Sequence, residues 1–150
     1  MRIVITGHRT EKLKFYDVKW INYSISEVLI EIKPLAEKHI AYSGMASGID
    51  LFFCAACHTL DIPYIACVPF KEQDLKMSLD DSQNRQIWLK YAKETKYVKN
   101  SWMVEHCDIG IVVWDGNKGG THNVVQQFVE NKISFYWINP VGKVVWKCFI

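Results

Sequence analysis

The chain carries little net charge. Its 18 lysines and arginines against 16 aspartates and glutamates leave +2. No surface built to hold a polyanion is implied, which argues against a nucleic acid as partner. No apolar run is long enough to span a bilayer, so no membrane partner is expected. Nothing resembling a signal peptide precedes the first strand, which opens at Arg2. The five cysteines, Cys54, Cys57, Cys67, Cys107 and Cys148, are odd in number and sit in apolar runs. They fit reduced thiols in a cytoplasmic compartment. Cys54-Ala-Ala-Cys57-His58 has the look of a metal or redox motif, but it lies in an apolar helical stretch with no second Cys/His pair. It reads as core, and neither a metal site nor a cofactor is expected.

What remains is an ordinary globular balance, 49% apolar and 23% charged, over 150 residues. That suits one domain, residues 1–150, with a sizeable core. The stretch that organises it is Trp114 to Glu130. Ile109 to Trp114 is a short apolar, β-branched run, the mark of a strand buried on both faces. Asp115-Gly116-Asn117-Lys118-Gly119-Gly120 is loop composition, and Thr121 can cap a helix in which Val124, Val125, Phe128 and Val129 recur at helical spacing. A strand, a glycine loop and a helix N-terminus make an anion site, because unpaired N–H groups leave the first turn and glycine lets a phosphate approach. The same residues also suit a tight turn that needs only glycine's freedom at φ > 0.

Two more such junctions precede it. Arg2 to Thr6 is a first strand, followed by Gly7-His8-Arg9-Thr10, either a phosphate-binding turn or a plain one with solvated basic residues. Residues 17–38 carry one apolar face at helical period, with Pro34 expected to kink or split the helix near its end. His39 to Ser43 is a second strand, running into Gly44-Met45-Ala46-Ser47-Gly48-Ile49-Asp50 and an apolar helix from Leu51 to Leu60. Ser47 suits a helix cap or a ligand oxygen. Asp50 suits the helix dipole, worth about 0.3–1 kcal/mol, or a ribose hydroxyl.

Tyr64 to Val68 reads as a third strand, Phe70 to Asp81 as a long loop, and Gln83 to Thr95 as a helix. Lys96 to Val98 is a short fourth strand and Asn100 to His106 a brief helix. Ser134 to Ile138 is a sixth strand. Val144 to Ile150 is a last one, antiparallel at the sheet edge. Alternating strands and helices with short turns predict a Rossmann-like α/β three-layer sandwich around a mainly parallel sheet. Right-handed crossovers would bring all three glycine turns to one crevice at the carboxyl edge, which favours an anionic, nucleotide-like small molecule. Six tryptophans and the apolar tail exceed what one small domain readily buries, so a homodimer is also expected.

Five motifs come in order: Thr6-Gly7-His8-Arg9, Ser43 to Asp50, Pro69-Phe70-Lys71-Glu72-Gln73, Lys99 to Val104, and Trp114 to Thr121. Together they resemble the YpsA family of the SLOG superfamily, which groups DprA/Smf-like proteins with LOG-like phosphoribohydrolases. The resemblance implies a Rossmann-like fold and a nucleotide-derived ligand at the rim, held by Thr6, Gly7, His8, Arg9, Ser43, Gly44, Ser47, Gly48, Asp50, Lys99, Asp115, Lys118, Gly119, Gly120 and Thr121. It implies a sensor or sequestering protein. The LOG-like enzymes place a glutamate where Val124 stands and an arginine where Lys99 stands, and lysine lacks arginine's bidentate fork. N-glycosidase activity would need another carboxylate near the sugar, for which Asp50, Glu105 and Asp115 are the candidates. Single-stranded DNA binding of the DprA kind is the weaker alternative.

Overall fold

The computed structural model describes residues 1–150. Strand β1 (Arg2–Gly7) leads into a short helix α1 (Thr10–Leu13), a long helix α2 (Val18–Ile32) and a 3-10 turn at Lys33–Leu35. Next come β2 (Ile40–Ser43), α3 (Ile49–Thr59), β3 (Tyr64–Cys67), a second 3-10 turn (Gln73–Lys76) and α4 (Leu79–Tyr91). The chain closes with β4 (Glu94–Lys96), α5 (Asn100–Glu105), β5 (Ile109–Val113), α6 (Gly120–Glu130), β6 (Phe135–Asn139) and β7 (Val144–Cys148).

The strands form one seven-stranded sheet in the order β4-β3-β2-β1-β5-β6-β7. Every pairing is parallel except β6 with β7, antiparallel at the edge. Alternate residues of each strand enter opposite faces, as the period of two requires. Ile3, Ile5, Ile111 and Val113 pack with Ile21, Ile25 and Leu29 of α2 and with Leu51, Phe53 and Cys54 of α3. Val4, Val112 and Phe135 pack on the other side with Met103 and Val104 of α5 and Val124, Val125 and Phe128 of α6. Two apolar layers around one sheet make the expected α/β three-layer sandwich. No helix is long and apolar enough to cross a membrane.

The order of strands fixes where a crevice opens. From β1 the chain winds one way through β2, β3 and β4; from β5 it winds the other way to β6. The two windings part between β1 and β5, which pair from Ile3 with Ile109 to Gly7 with Val113. At such a switch point the loops beyond the strand ends diverge and leave a cleft.

Several boundaries differ from the sequence expectation. α4 begins at Leu79 rather than Gln83, because Ser78 Oγ accepts the N–H of Asp81 at 3.1 Å and two aspartates occupy its first turn. It ends at Tyr91, which moves β4 forward to Glu94–Lys96. α1 and the 3-10 turn at Gln73–Lys76 were not anticipated. α2 is capped by Asp17, which accepts the Trp20 N–H at 3.1 Å, and gives way to a 3-10 turn at Pro34. Of the apolar tail, Trp146, Phe149 and Ile150 stay exposed.

Gly48 is a packing glycine. It sits at φ +85°, and a Cβ there would lie 2.6 Å from the His8 carbonyl oxygen and 2.8 Å from the Thr10 nitrogen. Both are backbone atoms and cannot step aside. Gly48→Ala is therefore expected to cost about 2 kcal/mol or more. Urea unfolding checks this, and a variant as stable as the parent would show that the two turns do not pack as described.

Candidate functional site

The three glycine turns meet at His8. Its carbonyl accepts the N–H of Ile49, at the head of α3, at 3.2 Å. Its ring Nε2 accepts the backbone N–H of Asp115, just past β5, at 3.0 Å. An Nε2 that accepts is unprotonated, so the neutral ring carries its proton on Nδ1. Burial pushes the His8 pKa down, with Lys12 acting in the same direction and Asp115 against it. The side chain is buried, and Nδ1 has no partner within the protein. Its ring lines the main cavity as a neutral N–H donor.

Asp115 belongs to this knot rather than to the cavity wall. Its side chain is 1% exposed and is held by Lys12 Nζ at 2.8 Å, the Tyr16 hydroxyl at 3.0 Å and the Asn117 N–H at 3.0 Å. Burial would raise its pKa, but these partners overcome that and hold the carboxyl well below the usual range. Its bonds are turned toward α1, the Tyr16 that follows it and its own loop.

Beyond Asp115, the loop is braced by indoles. Trp114 Nε1 donates to the Asn117 carbonyl at 2.7 Å, and Trp137 Nε1 donates to the Trp114 carbonyl at 2.8 Å. Trp114 also stacks on His122, ring centroids 5.4 Å apart. The braced loop delivers Gly119 as the N-cap of α6, at φ +153° and with no side-chain cap bond. Thr121, expected as the cap, instead lies in the first turn with its side chain buried. The helix starts two residues sooner because glycine reaches a backbone conformation that threonine would not. The first helical bond runs from Asn123 N–H to the Gly119 carbonyl, so the N–H groups of Gly120, Thr121 and His122 have no intrahelical acceptor. A Cβ at Gly119 or Gly120 would meet nothing within 4 Å.

Gly119, Gly120 and Thr121 at this helix head line a cavity of about 490 Å³ at the β1/β5 switch point. Thr6, Gly7, His8 and Arg9 line it from the first turn, Ala46 and Asp50 from the second, and Asn117 to Thr121 from the third. A smaller chamber of about 150 Å³ adjoins it and shares Arg9, Glu11, Ala46, Asp50 and Asn100 with it. Gly44 and Ser47 line only this chamber. Ser43 lines neither. Its hydroxyl donates to the Asp50 carbonyl at 3.0 Å and accepts the Met45 N–H at 3.3 Å, which shapes the turn. Gly48, Lys99, Glu105 and Asp115 line neither. Lys99 is the exposed residue before α5, and Glu105 is exposed at its end.

Asp50 is thus the one candidate carboxylate on the cavity wall. Burial pushes its pKa up to about 7, against the Ala46 N–H, which its Oδ2 accepts at 3.1 Å, and the nearby charge of Arg9. Glu11, Lys12, Asn100 and Asn117 also line the cavity, although the sequence reading did not propose them. Glu11 and Lys12 ride on α1, a single helical turn too short to leave a periodic signature. No cluster of His, Cys, Asp or Glu is placed to hold a metal ion.

No protein-family model matches the chain, and no curated protein matches it. Among solved structures it is similar to DNA processing protein A from Helicobacter pylori, described for its single-stranded DNA binding mode, with TM-score 0.63, 13% identity and 91% of this chain covered. It is likewise similar to DprA from Streptococcus pneumoniae, with TM-score 0.60, 14% identity and 91% covered. The chain spans 64% of the first protein and 49% of the second. At these identities the likeness is one of fold.

Two measurements test this description. Asp115→Asn is expected to lower stability by about 1.5–3 kcal/mol, the usual worth of hydrogen bonds to a charged group; unchanged urea unfolding would show that the knot is not structural. Asp50 titrates near 7 in the fold against an ordinary 3.8. Its contribution is fully present below about pH 4 and is lost as pH rises through about 7. Asp50→Asn should therefore gain on the parent protein between about pH 4 and pH 7, and a constant difference across that window would refute the assignment.

Proposed function

We propose that the chain binds a phosphorylated, nucleotide-like small molecule at the carboxyl edge of its sheet, as a sensor or sequestering protein. One observation carries the reading. The uncapped amides at the head of α6, beside two glycines with open space around them, face the same cavity as the unpartnered N–H of buried His8. Helix amides and dipole favour an anion, and the glycines let its oxygens reach the backbone. Lys118 and Arg9 add charge at the rim. Asp50, on the wall, is an acceptor for ribose hydroxyls. The motif order that resembles the SLOG superfamily and the fold shared with DprA support the same reading.

Asp50 also gives a second reading a foothold. A carboxyl titrating near neutrality on a cavity wall suits the acid of an N-glycosidase. Asp115 is spent in its knot and Glu105 lies off the cavity, so this reading rests on Asp50 alone. Single-stranded DNA binding is the weaker alternative. It is described for the Helicobacter pylori protein, but here the net charge is only +2 and Lys12 is paired with Asp115.

Calorimetry with a panel of nucleoside monophosphates, cyclic nucleotides, ADP-ribose derivatives and an oligodeoxynucleotide, followed by chromatography for free base, separates the three. Binding without base release is expected. Gly120→Ala should leave stability intact, since its Cβ meets open space, and should weaken nucleotide binding at least tenfold by filling the approach to the amides. No affinity for any member would overturn the proposal. Base release abolished by Asp50→Asn would replace it with the enzymatic reading.

A further inference from the structure

A nucleotide needs a surface for its base, and Trp114, Trp102 and Tyr42 lie within or beside the motifs that build the site. The structure uses all three elsewhere. Trp114 is wedged between His122 and Trp137. Trp102 stacks on His106 at 4.2 Å and meets Tyr42 edge-on at 5.5 Å. None of them lines either cavity. The large cavity has no Phe, Tyr or Trp in its wall, and the small chamber has one, Phe70.

Phe70 is 54% exposed and packs against no other aromatic ring. A large apolar side chain left in solvent is unremarkable on an open face, but this one stands in a concave wall beside Pro69 and Met77. Its place is fixed from behind. Gln73 Nε2 donates to the Gly44 carbonyl at 2.8 Å, and Gln73 Oε1 accepts from Arg85 Nη2 at 3.0 Å. That clip pins the segment carrying Phe70 onto the second glycine turn. Asn100 lines both cavities, and its side-chain amide has no partner in the protein. An unused amide offers one donor and one acceptor side by side, the pattern that reads a base edge.

We propose that the small chamber is a nucleobase subsite, in which Phe70 stacks on the base and Asn100 meets its edge. It rests on the phosphate-binding reading above and deepens it. Asp50, on the shared wall, then falls between base and phosphate, where the ribose of a nucleotide lies. The ligand class is accordingly a 5′-phosphorylated nucleoside rather than a sugar phosphate or inorganic phosphate.

Calorimetry with a nucleoside monophosphate and with ribose 5-phosphate, which lacks the base, tests this. The nucleotide should bind the parent protein more tightly than ribose 5-phosphate. Phe70→Ala and Phe70→Leu should weaken it by roughly 5- to 150-fold, the affinity equivalent of base–aromatic stacking. Ribose 5-phosphate should be unaffected by either, and Phe70→Tyr should retain nucleotide affinity. Circular dichroism and urea unfolding would show that the variants fold, as an exposed position allows. Equal affinity for the two probes, or Phe70 variants that leave nucleotide binding unchanged or weaken both probes alike, would overturn the subsite while leaving the phosphate site standing. Failure of both probes to bind the parent protein would overturn the phosphate site and the subsite together.

Discussion

The site depends on one residue that touches three loops. His8 gives its carbonyl to the head of α3 and its ring nitrogen to the amide past β5, and the bare backbone of Gly48 lies against that same carbonyl. Without this knot, the turns after β1, β2 and β5 would be separate surface loops at the edge of a sheet. With it, their relative positions are set by hydrogen bonds and by one close backbone approach that only glycine permits. The strand order supplies the cleft, and His8 supplies its dimensions. The ring must stay neutral to accept at Nε2, and burial favours that state. The same neutrality leaves Nδ1–H as a donor, so one tautomer serves both the structure and the cavity.

The knot also sorts the carboxylates by role. Asp50 and Asp115 each follow a glycine-containing turn or strand end, and sequence gave no reason to separate them. Their environments do. Asp115 is ringed by an ammonium, a phenol and an amide, so ionisation is favoured and its lone pairs are committed. Asp50 has one backbone amide and is desolvated by burial against the opposing charge of Arg9, so ionisation is resisted and the carboxyl keeps capacity for a further partner. Neither fate follows from the residue type; each follows from what α1 and the Gly44–Gly48 turn place alongside.

What could be read in the sequence follows the range of the forces involved. The strands were legible because burial on both faces demands continuous β-branched runs, as in Ile109 to Val113. The convergence of the turns was legible because crossover handedness leaves little choice. The head of α6 was misread by two residues. Thr121 has the right chemistry for a cap, but glycine at 119 reaches the required geometry first. α1 was invisible because one turn has no period to detect, although it contributes Glu11 and Lys12 to the cavity wall. The start of α4 was legible in principle: Ser78 followed three residues on by Asp81 is a capping signal, outweighed by the polarity of the stretch. The stacking surface was not legible at all, since choosing among aromatic residues requires knowing which of them the core consumes.

Net charge is a poor guide to this cleft, because its charges are arranged rather than abundant. Arg9, Lys76 and Lys118 line the two cavities against Glu11 and Asp50, while Lys12 is neutralised by Asp115. Asp50 loses half its charge near neutrality. Behind the small chamber lies Arg85, 4% exposed and bonded to neutral Gln73, with its Nε unpartnered. Burial lowers its pKa, while Asp74 and Tyr97 pull the other way without forming an ion pair. A buried guanidinium lacking a paired carboxylate costs several kcal/mol in other folds. Here its charge, opposed in part by Asp74, adds to those of Arg9, Lys76 and the α6 dipole, all of the same sign. A chain with +2 overall can in this way hold a cleft whose lining carries more basic than acidic side chains.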